Sequence, residues 1–111
     1  MTIVEFLNAR LVEDEQSAQW ALSATATPAR LASEILAKRR VIEGYNAAYR
    51  ECTRALEEAA RVAGRRRGAE HAAQPPVTDG PLSALWAWRE ALKHIAAVYR
   101  DHPDYDSAWR A

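Results

Sequence analysis

The stretch Leu31 to Ala63, LASEILAKRRVIEGYNAAYRECTRALEEAARVA, decides the fold. Along it Leu31, Ile35, Lys38, Ile42, Tyr45, Tyr49, Cys52, Leu56, Ala59 and Ala63 recur at alternating steps of four and three, and Lys38 is the one charged member. Such steps stack side chains into one seam on a helix, the pattern of a coiled-coil or bundle face. Thr27 and Pro28 supply a cap and a first-turn proline, where the missing amide costs nothing. No further proline occurs before Pro75. The predicted helix therefore covers about 28–63, about 36 residues and roughly 54 Å long. Gly44 is its weak point, costing about 1 kcal/mol relative to alanine. Gly64 is a plausible stop.

Outward on the N-terminal side, Thr2 and Glu5 form a capping-box pattern. A helix is predicted over about 3–22, with Ile3, Leu7, Leu11, Ala18 and Leu22 on one stripe and Phe6 and Trp20 at its margins. On the C-terminal side, GRRRGAEHAAQPPVTDG at 64–80 mixes glycine, proline and charge without periodicity and reads as a mobile loop. Asp79 or Gly80 then caps a helix over about 81–101, with Leu85, Trp88, Leu92, Ile95 and Tyr99 on its apolar side. Pro103 ends it by disfavouring helical geometry at His102. Asp104 is a candidate cap for one last turn, and Tyr105 and Trp109, four apart in so short a tail, imply that the tail docks. The expected architecture is all-α: a single domain, 1–111, forming an antiparallel three-helix bundle with a long central helix. Two partners of about 20 residues cannot cover so long a seam. An open stretch bearing Tyr45, Tyr49 and Leu56 invites a second copy or another protein.

Composition agrees with a folded domain and narrows the function. Apolar residues are 49% and charged residues 27% of 111, outside the range of disordered chains. Fifteen basic and fifteen acidic residues cancel, so no global field draws the chain toward nucleic acid or membrane. One cysteine, Cys52, allows no internal disulfide and favours a reducing compartment. The first residues, MTIVEFLNARLVEDE, contain neither a basic leader nor a long apolar run, and the expectation is a cytoplasmic protein without a membrane anchor.

No catalytic constellation is present, and neither an enzyme activity nor a cofactor is expected. Glu13, Asp14 and Glu15 are consecutive, so helical rotation of about 100° per residue keeps them from converging on one ion. Folding the first helix against the second brings them close to Lys38, Arg39 and Arg40, where charge pairing sets register. Glu90 and His94 share a face at i,i+4 but make at most half a metal site. His71 and His102 have no partner by spacing. Cys52, on the apolar seam, reads as a buried thiol rather than a nucleophile. Arg50, Arg54, Arg61 and Arg65 follow at helical spacing and Arg66 and Arg67 extend them, an alternative nucleic-acid contact diluted by Glu51, Glu57 and Glu58. Trp86 and Trp88 are rotated by about 200° and cannot both face one core, so one of them is a candidate contact for a partner.

FLNARLVEDE at 6–15, AKRRVIE at 37–43 and YRDHPDYDSAWR at 99–110 together resemble a family of small actinobacterial and actinophage proteins with no assigned activity. Many such members carry a cysteine-rich stretch suggestive of a metal between the second and third segments. This chain has only Cys52 there, so the metal role does not carry over. The resemblance implies that Lys38, Arg39, Arg40, Asp101, His102, Pro103, Asp104, Tyr105 and Trp109 belong to one arrangement, with the tail folding back to set its acids near the basic cluster. The resemblance narrows the source and leaves function open; the role expected from the helical surface is that of an accessory factor acting on a host protein or by self-association as a homodimer.

Overall fold

Thr2 and Glu5 make both bonds of the capping box: the Thr2 amide donates to Glu5 Oε2 at 2.9 Å, and the Glu5 amide donates to Thr2 Oγ1 at 3.2 Å. They start α1, Ile3–Trp20. The computed structural model describes residues 1–20, 28–66 and 79–111, the side chains of Trp20 and Arg66 excepted. The expected helix end at Leu22, the Thr27 cap, and the part of the loop that holds Arg67 and His71 lie outside the described residues. The second helix, α2, is Pro28–Arg66, and α3 is Asp79–Ala96. Two 3-10 turns, Ala97–Tyr99 and Ser107–Trp109, complete the described elements, and no strand occurs among them.

Three boundaries differ from expectation. First, α2 runs through Gly64 to Arg66, because no glycine among the described residues adopts the positive φ of a glycine stop. Arginine is a good helix former, so the residues after Gly64 do not oppose the extension. Second, α3 starts at Asp79, whose acid suits a helix N-terminus, and its last turn tightens to 3-10 geometry at Ala97–Tyr99. Third, Asp106 rather than Asp104 caps the final turn, accepting from the Ala108 amide at 2.9 Å.

The core gathers at one end of the molecule. Phe6, Leu7 and Leu11 of α1, Ile35 and Ile42 of α2, and Leu92 and Ala96 of α3 are buried together, with Tyr45, Tyr99, Tyr105 and Trp109 packed against them. Phe6, expected at a margin, is its centre at 0% exposure. The tail supplies the reason: Tyr99, His102, Tyr105 and Trp109 ring Phe6 with centroid separations of 6.2, 5.8, 6.1 and 5.0 Å. The tail therefore docks, as its paired aromatics imply.

Contacts fix how the helices lie. Glu15 of α1 pairs with Arg39 of α2, and lower on α2, Pro28 and Ala32 border a groove with Ala18 and Gln19. Tyr99 meets Lys38, and Trp88 meets Gly44. Along both neighbours of α2, one residue count rises as the other falls. The result is long and thin, 70 × 27 × 18 Å, with a radius of gyration of 19.6 Å. A compact domain of this size has about 13 Å. α2 alone, with 39 residues, spans roughly 58 Å, about twice the reach of either partner.

Candidate interaction surface

All three sequence segments that carry the family resemblance meet at the closed end. The Tyr99 hydroxyl donates to Asp14 Oδ2 at 2.5 Å and accepts from Lys38 Nζ at 3.2 Å, so it ties α1, α2 and the end of α3 at one point. Burial first, then the hydrogen bond to Asp14 and its negative charge, push the Tyr99 hydroxyl well above its ordinary 10.0, and the nearby Arg10 charge opposes them. The tyrosine therefore stays protonated and remains the donor. Beside it Arg39 pairs with Glu15, while Glu13 turns to Arg10 at 2.9 Å. The predicted charge pairing between the two helices is thus made by Glu15 with Arg39, while Asp14 and Lys38 meet through the Tyr99 hydroxyl.

The tail folds back, but its acids do not reach the basic cluster. Asp106 caps its own turn and Asp104 lies beside His102, whose Nδ1 accepts from the Asp104 amide at 3.0 Å. Asp101, Pro103 and Arg40 are exposed. Aromatic packing on Phe6 by Tyr105 and Trp109 holds the tail in place of ion pairs. Spacing alone does not single out Arg10. It is 6% exposed, its guanidinium lies 5.2 Å from the Phe6 ring centre, and Nε and Nη1 are buried without a hydrogen-bond partner among the described residues. The available signal was its place at i+3 and i+4 from Leu7 and Phe6 on the buried stripe.

One heptad position of α2 shows where cover stops. Ile35 and Ile42 are 7% and 3% exposed, whereas Tyr49 and Leu56, each seven residues further on the same face, are 56% and 50% exposed. Tyr45, half-buried at the boundary, stacks toward Tyr49 with centroids 6.3 Å apart. Cys52, on the seam between Tyr49 and Leu56, is buried. The slot that α1 fills at the closed end therefore continues along α2 as an open strip.

Both tryptophans of α3 keep exposed area, Trp88 less than Trp86, at 37% exposure. Trp88 lies on Gly44, where an added Cβ would come closer than 3.0 Å to three ring carbons. The glycine expected as a weak point is thus the seat of an indole. Trp86 is 61% exposed, with Arg89 and Lys93 at 5.9 and 6.0 Å from its ring centre. Leu82, on the preceding turn, is also exposed. The open half of the molecule therefore offers Tyr49 and Leu56 from α2 and Trp86 and Leu82 from α3. Val12, Leu36 and Val98 are exposed apolar residues elsewhere.

The arginine stripe is exposed but partly neutralised. Arg54 pairs with Glu51, and Arg61 with Glu58 at 2.7 Å. Arg50 and Arg65 form no ion pair among the described residues, while Arg66, as a side chain, and Arg67 are not described. Glu90 bonds Lys93 at 3.0 Å rather than sharing a site with His94. Among the described residues no three His, Cys, Asp or Glu side chains are grouped to hold a metal ion, and no helix is long and apolar enough to cross a membrane. No curated protein and no solved structure matches the chain. The model of a family of unknown function, DUF6221, matches residues 1–111 from end to end, and the chain belongs to that family.

Proposed function

We propose that this chain is a non-enzymatic interaction protein, in which the packed end is a scaffold and the open half of the α2–α3 hairpin is the contact surface. The observation that carries this reading is the reversal of burial along one heptad position, from Ile35 and Ile42 to Tyr49 and Leu56. Large apolar side chains held on a rigid helix have little conformational freedom to lose on binding, and an exposed tryptophan flanked by cations is the kind of group that anchors protein interfaces. Pairing of Arg54 and Arg61 with glutamates three residues before them weakens the competing nucleic-acid reading, since paired arginines release fewer counterions from a phosphate backbone. The resemblance of the three segments to actinobacterial and actinophage proteins makes the cytoplasm of such a cell, infected or not, the setting we propose.

The test is site-specific cross-linking in the native cell. A photoreactive phenylalanine derivative placed at Leu56 or Trp86 should yield discrete protein adducts, and the same group at the exposed Ser33 of the closed end should not. Absence of adducts at Leu56 and Trp86, or equal adducts at Ser33, would sink the reading.

A further inference from the structure

The open strip carries a charge order that fits a reversed copy of itself. Asn46, Tyr49, Thr53, Leu56 and Ala60 succeed one another at steps of three and four on α2, and all but the half-buried Asn46 are exposed. The Thr53 hydroxyl donates to the Tyr49 carbonyl at 3.0 Å, so it enters an apolar contact with its donor already satisfied. Arg50 and Glu57 stand on one rim of the strip, exposed and in no ion pair among the described residues. Seven residues apart, they are separated by roughly 10 Å along the axis, too far to satisfy each other. Together with Tyr49, Thr53 and Arg54 they line a shallow depression.

We propose that the occupant of this strip is a second copy of the chain, its α2 crossing the first in the opposite direction about a two-fold axis midway between Thr53 and Arg54. That axis exchanges positions 50 and 57, so each Arg50 faces Glu57 of the partner subunit, and the contact is the same from both sides. A parallel pairing in register sets Arg50 against Arg50 and Glu57 against Glu57, and repulsion of like charges selects against it. Crossing at the steep angle common where helix ridges meet, about −50°, carries the partner's rod away from α1. This proposal rests on the reading of the open half as an interaction surface, and it names the partner.

A crossing contact buries less than about 1,200 Å² and belongs with weak associations. Sedimentation equilibrium of the full chain over about 10 μM to about 1 mM therefore brackets the expected dissociation constant. R50E alone and E57R alone should each weaken the dimer about tenfold or more, because both symmetry-related pairs become repulsive at once. R50E combined with E57R in one chain should restore dimerisation, and an equimolar mixture of the two single variants should form a heterodimer. Circular dichroism melts of all variants serve as the control for folding, since both positions are exposed. A wild-type chain that stays monomeric over that range, or single variants that dimerise as the wild type does, would overturn the proposal. Cross-links from Leu56 that join only other proteins would also overturn it, while leaving the interaction surface standing.

Discussion

Four residues, Ile35, Ile42, Tyr49 and Leu56, occupy one position of the α2 heptad, and the first two are buried while the last two face water. Side-chain type does not account for this, since leucine is as apolar as isoleucine. The difference lies in the neighbours. Around the first pair, α1, the end of α3 and the tail close a core on Phe6, Leu92 and Ala96. The second pair lies outside that core. A helix stripe thus records the capacity to be covered, and the length of the partners decides whether the capacity is used.

The sharpest way to break the comparison is to remove an anchor from each half. Phe6→Ala should cost about 3–5 kcal/mol in chemical denaturation, because it removes a fully buried ring and unseats the tail. Leu56→Ala should shift the same transition of the monomer by no more than about 0.5 kcal/mol, the ordinary effect of an exposed position. Equal losses at the two sites would mean that the open half is covered after all.

Tyr99→Phe probes the polar link of the closed end, and a loss of about 1–3 kcal/mol is expected because the Asp14 carboxylate loses its donor. This variant also carries a pH signature. The folded-state value of Tyr99 is raised above 10.0, so its contribution is whole below pH 10 and is lost as the pH climbs past it. Thermal melts of the wild type should fall faster above pH 10 than those of Tyr99→Phe, and parallel curves would remove Tyr99 as the cause.

Gly44→Ala has a smaller expected effect than Tyr99→Phe and sharpens the boundary between the halves. Overpacking against Trp88 costs about 1–3 kcal/mol, and the better helix propensity of alanine offsets about 1 kcal/mol of it. In a Trp88→Ala background the sign should reverse and Gly44→Ala should stabilise. A double-mutant cycle of these two positions measures the coupling, and additive effects would show that the indole leaves Gly44 free in solution.

The local signals in the sequence were the reliable ones. Thr2 with Glu5 gave the start of α1, the alternating seam gave α2, and the rotation between Trp86 and Trp88 required one of them to face out. Each depends on residues within a few turns of one another. Phe6 sits at the margin of its own helix stripe because the four rings that bury it come from residues 99–109, and no periodicity links the ends of a chain. The burial of Arg10 is equally hidden from local pattern, since a guanidinium on an apolar stripe gains its place from that same remote packing. Asp104 and Asp106 are equally good caps by type, and the backbone path of the tail selects Asp106. Gly44 shows only its low helix propensity in the sequence, since nothing local indicates that an indole rests on it.

Because α2 is unbroken, the residues that make the chain fold and those proposed to meet a neighbour share one rod yet stand apart, with Ile42 and Leu56 roughly 21 Å distant along its axis. Selection can then rewrite the far end to follow a changing target while the near end keeps its packing, and mutations that alter recognition carry little penalty in foldedness. Such a division of labour along a single strut makes the surface quick to adapt and the scaffold slow to drift.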